Sequence, residues 1–276
     1  MHKARKKMQE VMPLIDVVIE VLDARIPYSS GNPHIAELRE HRPHIKILNK
    51  MDLADPIVAA RWMKYFEQEQ GVKAITFSKN KVGEIKNIFK LCKSLAPNRN
   101  KEYKPVRTMI MGIPNVGKST LINIMAGKTI AKVGNEPAVT KTQQKIRLDN
   151  GILLSDTPGI LWPRMHDHDC GYRLAVTGAV KNTAIEFEDI AMFAANYLLH
   201  AYPEELNRRY KLKELPQTAD ELVVEIGKKR GGLRAGGRID LHKASEVLLH
   251  DIRDGNLGRI SFETPELIKA IMAEMG

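Results

Sequence analysis

Gly112-Ile-Pro-Asn-Val-Gly117-Lys118-Ser119 is the stretch on which the reading of the whole chain turns. It has the spacing G-x-x-x-x-G-K-[ST], and it lies between a β-branched run, Thr108 to Met111, and a helical pattern that begins at Lys118. In that setting each residue type has a task. Backbone N–H groups from Asn115, Val116 and Gly117 into the helix start at Ser119 and Thr120 point at phosphate oxygens. Lys118 neutralises the outer phosphates, and the Ser119 hydroxyl reaches a Mg²⁺ ion. The eight-residue pattern alone occurs by chance; strand, turn and helix together give it weight.

The same strand-and-helix rhythm extends in both directions. Apolar, β-branched runs at Val17–Leu22, Ile45–Leu48, Ala74–Phe77, Lys145–Leu148 and Ile152–Leu154 read as further strands. Asp55-Pro56 opens a helix that runs to about Gln70, with an N-cap carboxylate ahead of proline at the first helical position. Another helix spans Glu84 to Leu95, with Ile85, Ile88, Phe89 and Cys92 on one face. Alternating strands and helices predict an α/β fold whose mostly parallel sheet carries helices on both faces. The polar segment Ser94–Val106 joins elements within that domain. Beyond about Arg173 the strand signal stops. Phe187 to Leu198, a capping box at Thr218 and Glu221, Ala244 to Ile252 and Thr264-Pro265-Glu266 mark helices only. The expected division is an α/β domain at 1–172 and a small all-α domain at 173–276.

Two more motifs meet the phosphate loop at strand ends. Asp156-Thr-Pro-Gly159 follows Ile152–Leu154. A carboxylate there can hold Mg²⁺ through water, and the Gly159 N–H can meet a γ-phosphate. Asn49-Lys50-Met51-Asp52 follows Ile45–Leu48. The Asp52 carboxylate can accept from guanine N1–H and its exocyclic amine, a pair that adenine lacks. Lys50 can lie along the base plane, and Asn49 can tie the loop to its neighbours. Taken alone, Asn, Lys and Asp suit a surface turn equally well.

These residues resemble the translation-factor class of P-loop GTPases, but in rotated order. That class runs from phosphate loop through switch threonine and D-x-x-G to N-K-x-D and a final S-A-K-type loop. Here N-K-M-D comes first, then Ser78-Lys79, then the phosphate loop, Thr140 and D-T-P-G. Termini that lie close together make such a rotation tolerable. The chain therefore resembles the circularly permuted GTPases, most closely the YlqF/RbgA family of ribosome-biogenesis GTPases. Asp23-Ala-Arg-Ile-Pro27, Asp156 to Pro163 and Arg173-Leu-Ala-Val-Thr-Gly-Ala179 carry the likeness as well.

The resemblance implies a GTP/GDP switch that hydrolyses GTP during late assembly of the large ribosomal subunit, with rRNA and ribosomal proteins as partners. It implies Lys118, Thr140 and Gly159 as the catalytic groups. Ser119, Thr140 and Asp156 would serve Mg²⁺, Asn115 would ligate K⁺, and Ser78 and Lys79 would complete the base pocket. Thr142 is the substitute for Thr140, because Pro137-Ala-Val-Thr140 stands where Pro-Gly-x-Thr is usual. Ile160 replaces the glutamine that orients water in many GTPases, so slow turnover alone and stimulation by the subunit or K⁺ are expected. The resemblance matches Met1 to the methionine of a stretch that relatives begin as aromatic-Pro-Gly-His-Met, with His2 on the other side of that methionine from the histidine implicated in hydrolysis; His166 and His168 read as loop residues. The competing reading is a nucleotide-gated RNA-binding module with negligible hydrolysis.

Charge supports a polyanionic partner. The net charge is +10, and residues 1–170 hold 28 Lys and Arg against 17 Asp and Glu. A solvated surface would explain that surplus too. Lys228-Lys229-Arg230 through Arg238 is basic and glycine-rich without aromatics, which favours contacts to RNA backbone over base reading. No DNA specificity is expected. No transmembrane span and no secretory leader are expected, because no apolar run is long enough and no uncharged apolar stretch follows the basic start. Two cysteines, Cys92 and Cys170, suit a reducing compartment, so a cytoplasmic location is expected; a monomer is expected as well.

Overall fold

The computed structural model describes residues 2–99, 104–131, 144–148, 150–157, 169–180, 186–232 and 238–275. Six strands form one sheet: β1 (Val17–Asp23), β2 (His44–Asn49), β3 (Val72–Thr76), β4 (Val106–Met111), β5 (Gln144–Leu148) and β6 (Ile152–Asp156). Their order is β3-β2-β1-β4-β6-β5, and every pairing is parallel except β5 with β6. Parallel neighbours need crossovers. These are supplied by α2 (Ile35–Arg39), α3 (Pro56–Phe66) and α4 (Ile85–Leu95), while α1 (His2–Val11) precedes β1 and α5 (Lys118–Ala126) follows β4.

The centre of the sheet is β1, which is buried along its whole length. Its residues alternate between two layers. Val17, Ile19 and Val21 face the larger core, built with Ile88 and Cys92 of α4 and Leu121 and Ile122 of α5. Val18 faces Met8, Met12 and Leu38, and Leu22 faces Val58, Trp62 and Phe66 of α3. Helices therefore cover both faces. One charged residue interrupts the second face. Glu20 is buried, and its carboxylate accepts from Lys46 Nζ at 2.7 Å and from the Asn32 N–H at 2.6 Å. Burial alone would raise the Glu20 carboxyl, but Lys46 and His44 outweigh it and bring it down to about 2.

The α3 helix begins where expected. Asp55 accepts from Ile57 N at 2.8 Å and Val58 N at 3.3 Å, with Pro56 in the first turn. It ends at Phe66, four residues short of the expected Gln70. The residues between are Glu-Gln-Glu-Gln, which have no apolar side chain to bury, and the Glu67 carboxylate turns instead to the Ala74 N–H of edge strand β3 at 3.1 Å.

The second half is helical: α6 (Asp169–Val176), α7 (Phe187–Ala201), α8 (Pro203–Tyr210), α9 (Ala219–Lys229), α10 (Leu241–Asp254) and α11 (Pro265–Met275). The Thr218–Glu221 capping box opens α9 with both reciprocal bonds formed. Buried residues of α6, α7, α9 and α10 continue the larger core without a break. The chain then turns back. Ile268 of α11 packs with Trp62 and Phe66 of α3, and Trp62 Nε1 donates to the Glu263 carbonyl at 3.0 Å. No helix among the described residues is long and apolar enough to cross a membrane.

Candidate nucleotide site

Parallel pairing sends β1, β2, β4 and β6 to one edge of the sheet. In the register Asp23 stands opposite Asn49, and Ile110 opposite Asp156. The loops after these strands share one rim, at the carboxyl ends where open α/β sheets bind ligands. That rim brings together segments remote in the chain.

The phosphate loop is shaped by close approach. A Cβ on Gly112 would stand 2.7 Å from the Val21 carbonyl of β1. A Cβ on Gly117 would stand 2.3 Å from Asn49 Nδ2, and Gly117 has φ +89°. Only glycine meets both demands there. Asn49 Nδ2 donates to the Val116 carbonyl at 2.7 Å, so the first residue of N-K-M-D is bolted to the loop 67 positions later. Asn115 adopts φ +60°, and its Nδ2 donates to the Gly178 carbonyl at 3.1 Å. Lys118 opens α5, is buried, and its Nζ contacts Asp156 Oδ1 at the end of β6. Ser119 and Thr120 follow it in the first turn, half-buried. Next to Asp156, Thr157 anchors the start of the following loop with its hydroxyl on the Ile110 carbonyl at 2.9 Å.

The base side is built from two neighbouring loops. Ser78 is buried and its hydroxyl donates to Asp52 Oδ1 at 2.7 Å. Asn80 joins them, its N–H on Ser78 Oγ at 3.2 Å and its side chain 3.5 Å from Asp52 Oδ2. Lys79 lies exposed beside them. Lys50 takes φ +60° and reaches Asp23 Oδ2 at 2.9 Å. Glu40, Lys50, Asn115 and Lys211 are the non-glycine residues with positive φ among those described. Lys50 and Asn115 stand in the two loops facing this rim. Such backbone is uncommon for residues with a side chain and gathers at functional loops.

Thr140, its substitute Thr142, Gly159, Ile160, Trp162, His166 and His168 lie outside the described residues. Sequence reasoning did not single out Asn80 or the roles of Asp23 and Arg25. Asn80 carries no motif signal. Asp23 and Arg25 belong to a stretch that was noted, but nothing local shows that both are buried.

Comparison with known proteins agrees with this geometry. Residues 107–228 match a family model described as a 50S ribosome-binding GTPase. Ribosome biogenesis GTPase A of Bacillus cereus is 46% identical over 273 residues, covering 96% of this chain and 92% of that protein. The chain belongs to the ribosome biogenesis GTPase A (YlqF/RbgA) family. Its counterpart of that name in Thermotoga maritima is 32% identical, over 99% of this chain and 95% of that one. The crystal structure of GNP-bound YlqF from T. maritima is similar to this fold with a TM-score of 0.65 and 29% identity, covering 96% of this chain and 99% of that one. The GDP-bound YlqF structure gives 0.66, with 94% and 99% covered. As a member, the protein binds guanine nucleotide and hydrolyses GTP in ribosome biogenesis.

Proposed function

We propose that the protein is a GTP-driven assembly factor for the large ribosomal subunit, working as a cytoplasmic monomer. Residues 1–172 would form the hydrolytic unit and residues 173–276 the unit that meets ribosomal RNA and proteins. One observation carries the nucleotide assignment: Asn49, of the loop that includes Asp52, hydrogen-bonds the Val116 carbonyl of the phosphate loop. The base loop and the phosphate loop are thereby joined on one rim, where a single nucleotide would meet both.

On this reading Asp52 accepts from guanine N1–H and the exocyclic amine, aimed by the Ser78 hydroxyl. Lys50 lies along the base and Lys79 flanks it. Backbone N–H groups from Asn115 to Thr120 hold the phosphates at the positive end of α5. Lys118 places its charge on the β- and γ-phosphoryl oxygens. Water attacks the γ-phosphorus as its bond to the β-bridging oxygen breaks, leaving GDP and inorganic phosphate; positioning and electrostatics do the work. The Ser119 hydroxyl and the Asp156 carboxylate are hard oxygen donors at the loop's mouth, the set that suits Mg²⁺, and Thr140 would add a third. Bound there, Mg²⁺ supplies positive charge to the phosphate oxygens. Gly159 would offer its N–H to the γ-phosphate. Because Asn115 Nδ2 is committed to Gly178, its Oδ1 is the atom that would ligate K⁺.

The RNA-facing assignment draws on the carboxyl ends of α8 and α9. Lys229 Nζ bonds the Lys211 carbonyl at 2.8 Å and Arg230 Nη2 the Arg209 carbonyl at 3.0 Å. This ties a basic face together beside an open groove of about 550 Å³ lined by Glu204, Asn207, Arg208, Lys211 and Leu212. The companion loop residues 233–237 lie outside the described residues.

Two measurements test the proposal. Asp52→Asn should lose guanine-nucleotide affinity by about 10³-fold or more while gaining xanthine-nucleotide binding; retained guanine preference would refute the base site. GTP turnover should rise with added large subunits, and should be faster in KCl than in NaCl. Equal rates across all these conditions would refute the stimulated-switch reading.

A further inference from the structure

The GTPase reading gives no part to Asp23 and Arg25, which form a buried ionic cluster with Lys50. Asp23 ends β1 and is fully buried. Its carboxylate accepts from Arg25 Nε at 3.0 Å and the Arg25 N–H at 3.1 Å on Oδ1, and from Arg25 Nη2 at 2.8 Å and Lys50 Nζ at 2.9 Å on Oδ2. Burial pushes the Asp23 carboxyl up, yet Arg25 and Lys50 outweigh that and hold it well below the usual carboxylate range. Two cations thus share one carboxylate, with Arg25 and Asp23 buried and Lys50 partly exposed. That arrangement fixes geometry, because losing the carboxylate would leave Arg25 and Lys50 side by side without their shared counter-charge.

Arg25 also looks the other way. Its Nη2 donates to the Thr177 carbonyl, 152 positions on, at 3.1 Å. Thr177 lies in the turn that ends α6, where carbonyls have no partner within the helix and carry partial negative charge. The neighbouring carbonyls are taken as well. Arg253 of α10 binds those of Ala175 at 2.7 Å and Val176 at 3.0 Å, and Asn115 binds that of Gly178 at 3.1 Å. Four successive carbonyls therefore receive side chains from the segment after β1, from the phosphate loop and from α10.

We propose that Asp23 and Arg25 are positioning residues for guanine recognition: Asp23 sets where the Lys50 side chain lies, and Arg25 braces Asp23 against the carboxyl end of α6. The inference rests on the reading of Asn49–Asp52 as the base site. It makes guanine affinity depend on how α6 is seated, through a side chain that never touches nucleotide.

The test is GDP affinity by fluorescence titration with a labelled GDP, on the full chain, for Asp23→Asn, Lys50→Met, the double variant and Arg25→Gln. Each of the first two should weaken binding by about 10- to 100-fold, the worth of a hydrogen bond to a charged group. The double variant should weaken it no further than the worse single change. For GTP turnover, Asp23→Asn should raise KM with kcat little changed. Losses that multiply in the double variant would overturn the proposal. Should Asp23→Asn fail to fold, Arg25→Gln decides: it should weaken GDP binding by about 5-fold or more in the parent chain and have no effect in the Lys50→Met background. Unchanged affinity in the parent, or the same loss in both, would overturn it. Asp52→Asn, measured alongside, separates the two readings. If that variant switches to xanthine while the Asp23 and Lys50 losses multiply, only this inference falls. If it keeps guanine preference, the base site and this inference fall together.

Discussion

The two halves of the nucleotide rim are held by different means. The base side is strapped by the end of the chain. Ile260 N donates to the Leu53 carbonyl at 3.0 Å, Phe262 N to the Arg25 carbonyl at 2.8 Å, and Arg259 reaches the carbonyls of Ala54 at 3.1 Å and Met51 at 2.9 Å. Glu263 completes the strap, accepting from Ser29 N at 3.0 Å and Ser29 Oγ at 2.6 Å and also from Tyr28 N. The phosphate side has no such strap among the described residues. Its loop is shaped by steric contact with β1 and Asn49, and Asn115 gives it a side-chain bond to the turn after α6. On the proposed reading, the base, which stays the same through the cycle, would be read by the braced loop. The phosphates, which change, would be read by a loop free of that strap among the described residues.

Four measurements would break or sharpen this contrast. Gly117→Ala should do most harm, because its methyl group meets Asn49 Nδ2 in left-handed backbone; about 3 kcal/mol of stability and measurable nucleotide binding should be lost. Calorimetry together with GDP titration checks it, and a variant that still binds GDP would mean that the loop has more room than its geometry allows. Arg259→Ala comes next. Losing two charged hydrogen bonds should cost about 2 kcal/mol, and amide exchange should quicken at Leu53–Asp55 while Gly112–Ser119 is unchanged. Quickening in both would erase the distinction between the halves. Asn115→Ala should cost about 1 kcal/mol in stability and lower turnover more than GDP affinity. An equal loss in both would make the residue structural only.

The fourth measurement is a pH dependence of the strap. Burial raises the Glu263 carboxyl to about 7 against the bonds from Ser29 and Tyr28, from an ordinary value of 4.5. The folded chain keeps a proton that the unfolded chain releases. The stabilisation is therefore complete below about pH 4.5 and is lost as pH rises through about 7. Melting temperatures from pH 5 to 8 should fall more steeply in the parent chain than in Glu263→Gln. Parallel curves would place the titration elsewhere.

Much of the architecture was legible in the residues. All six strands were marked by β-branched runs, and the cap residues Asp55 and Thr218 identified helix starts, because those signals act within a few positions. The end of α3 was less legible, since Glu67 left the helix for a strand it meets only after folding. Most of the candidate site was also named from its motifs. Asn80 was not, because its part comes from standing beside Asp52 rather than from any pattern of its own.

The sequence by itself determined the motifs and their rotated order along the chain, and with them the expectation of which loop would offer amides to phosphate and which carboxylate would suit guanine. Those are properties of residue type and short spacing. Only the tertiary structure decided that Asn49 locks onto Val116, that Asp23 is buried between Arg25 and Lys50, and that Arg259 to Glu263 return to brace the base loop. The reason is range. A hydrogen bond across 67, 152 or 234 positions depends on how the sheet and helices stack, and no local window contains it.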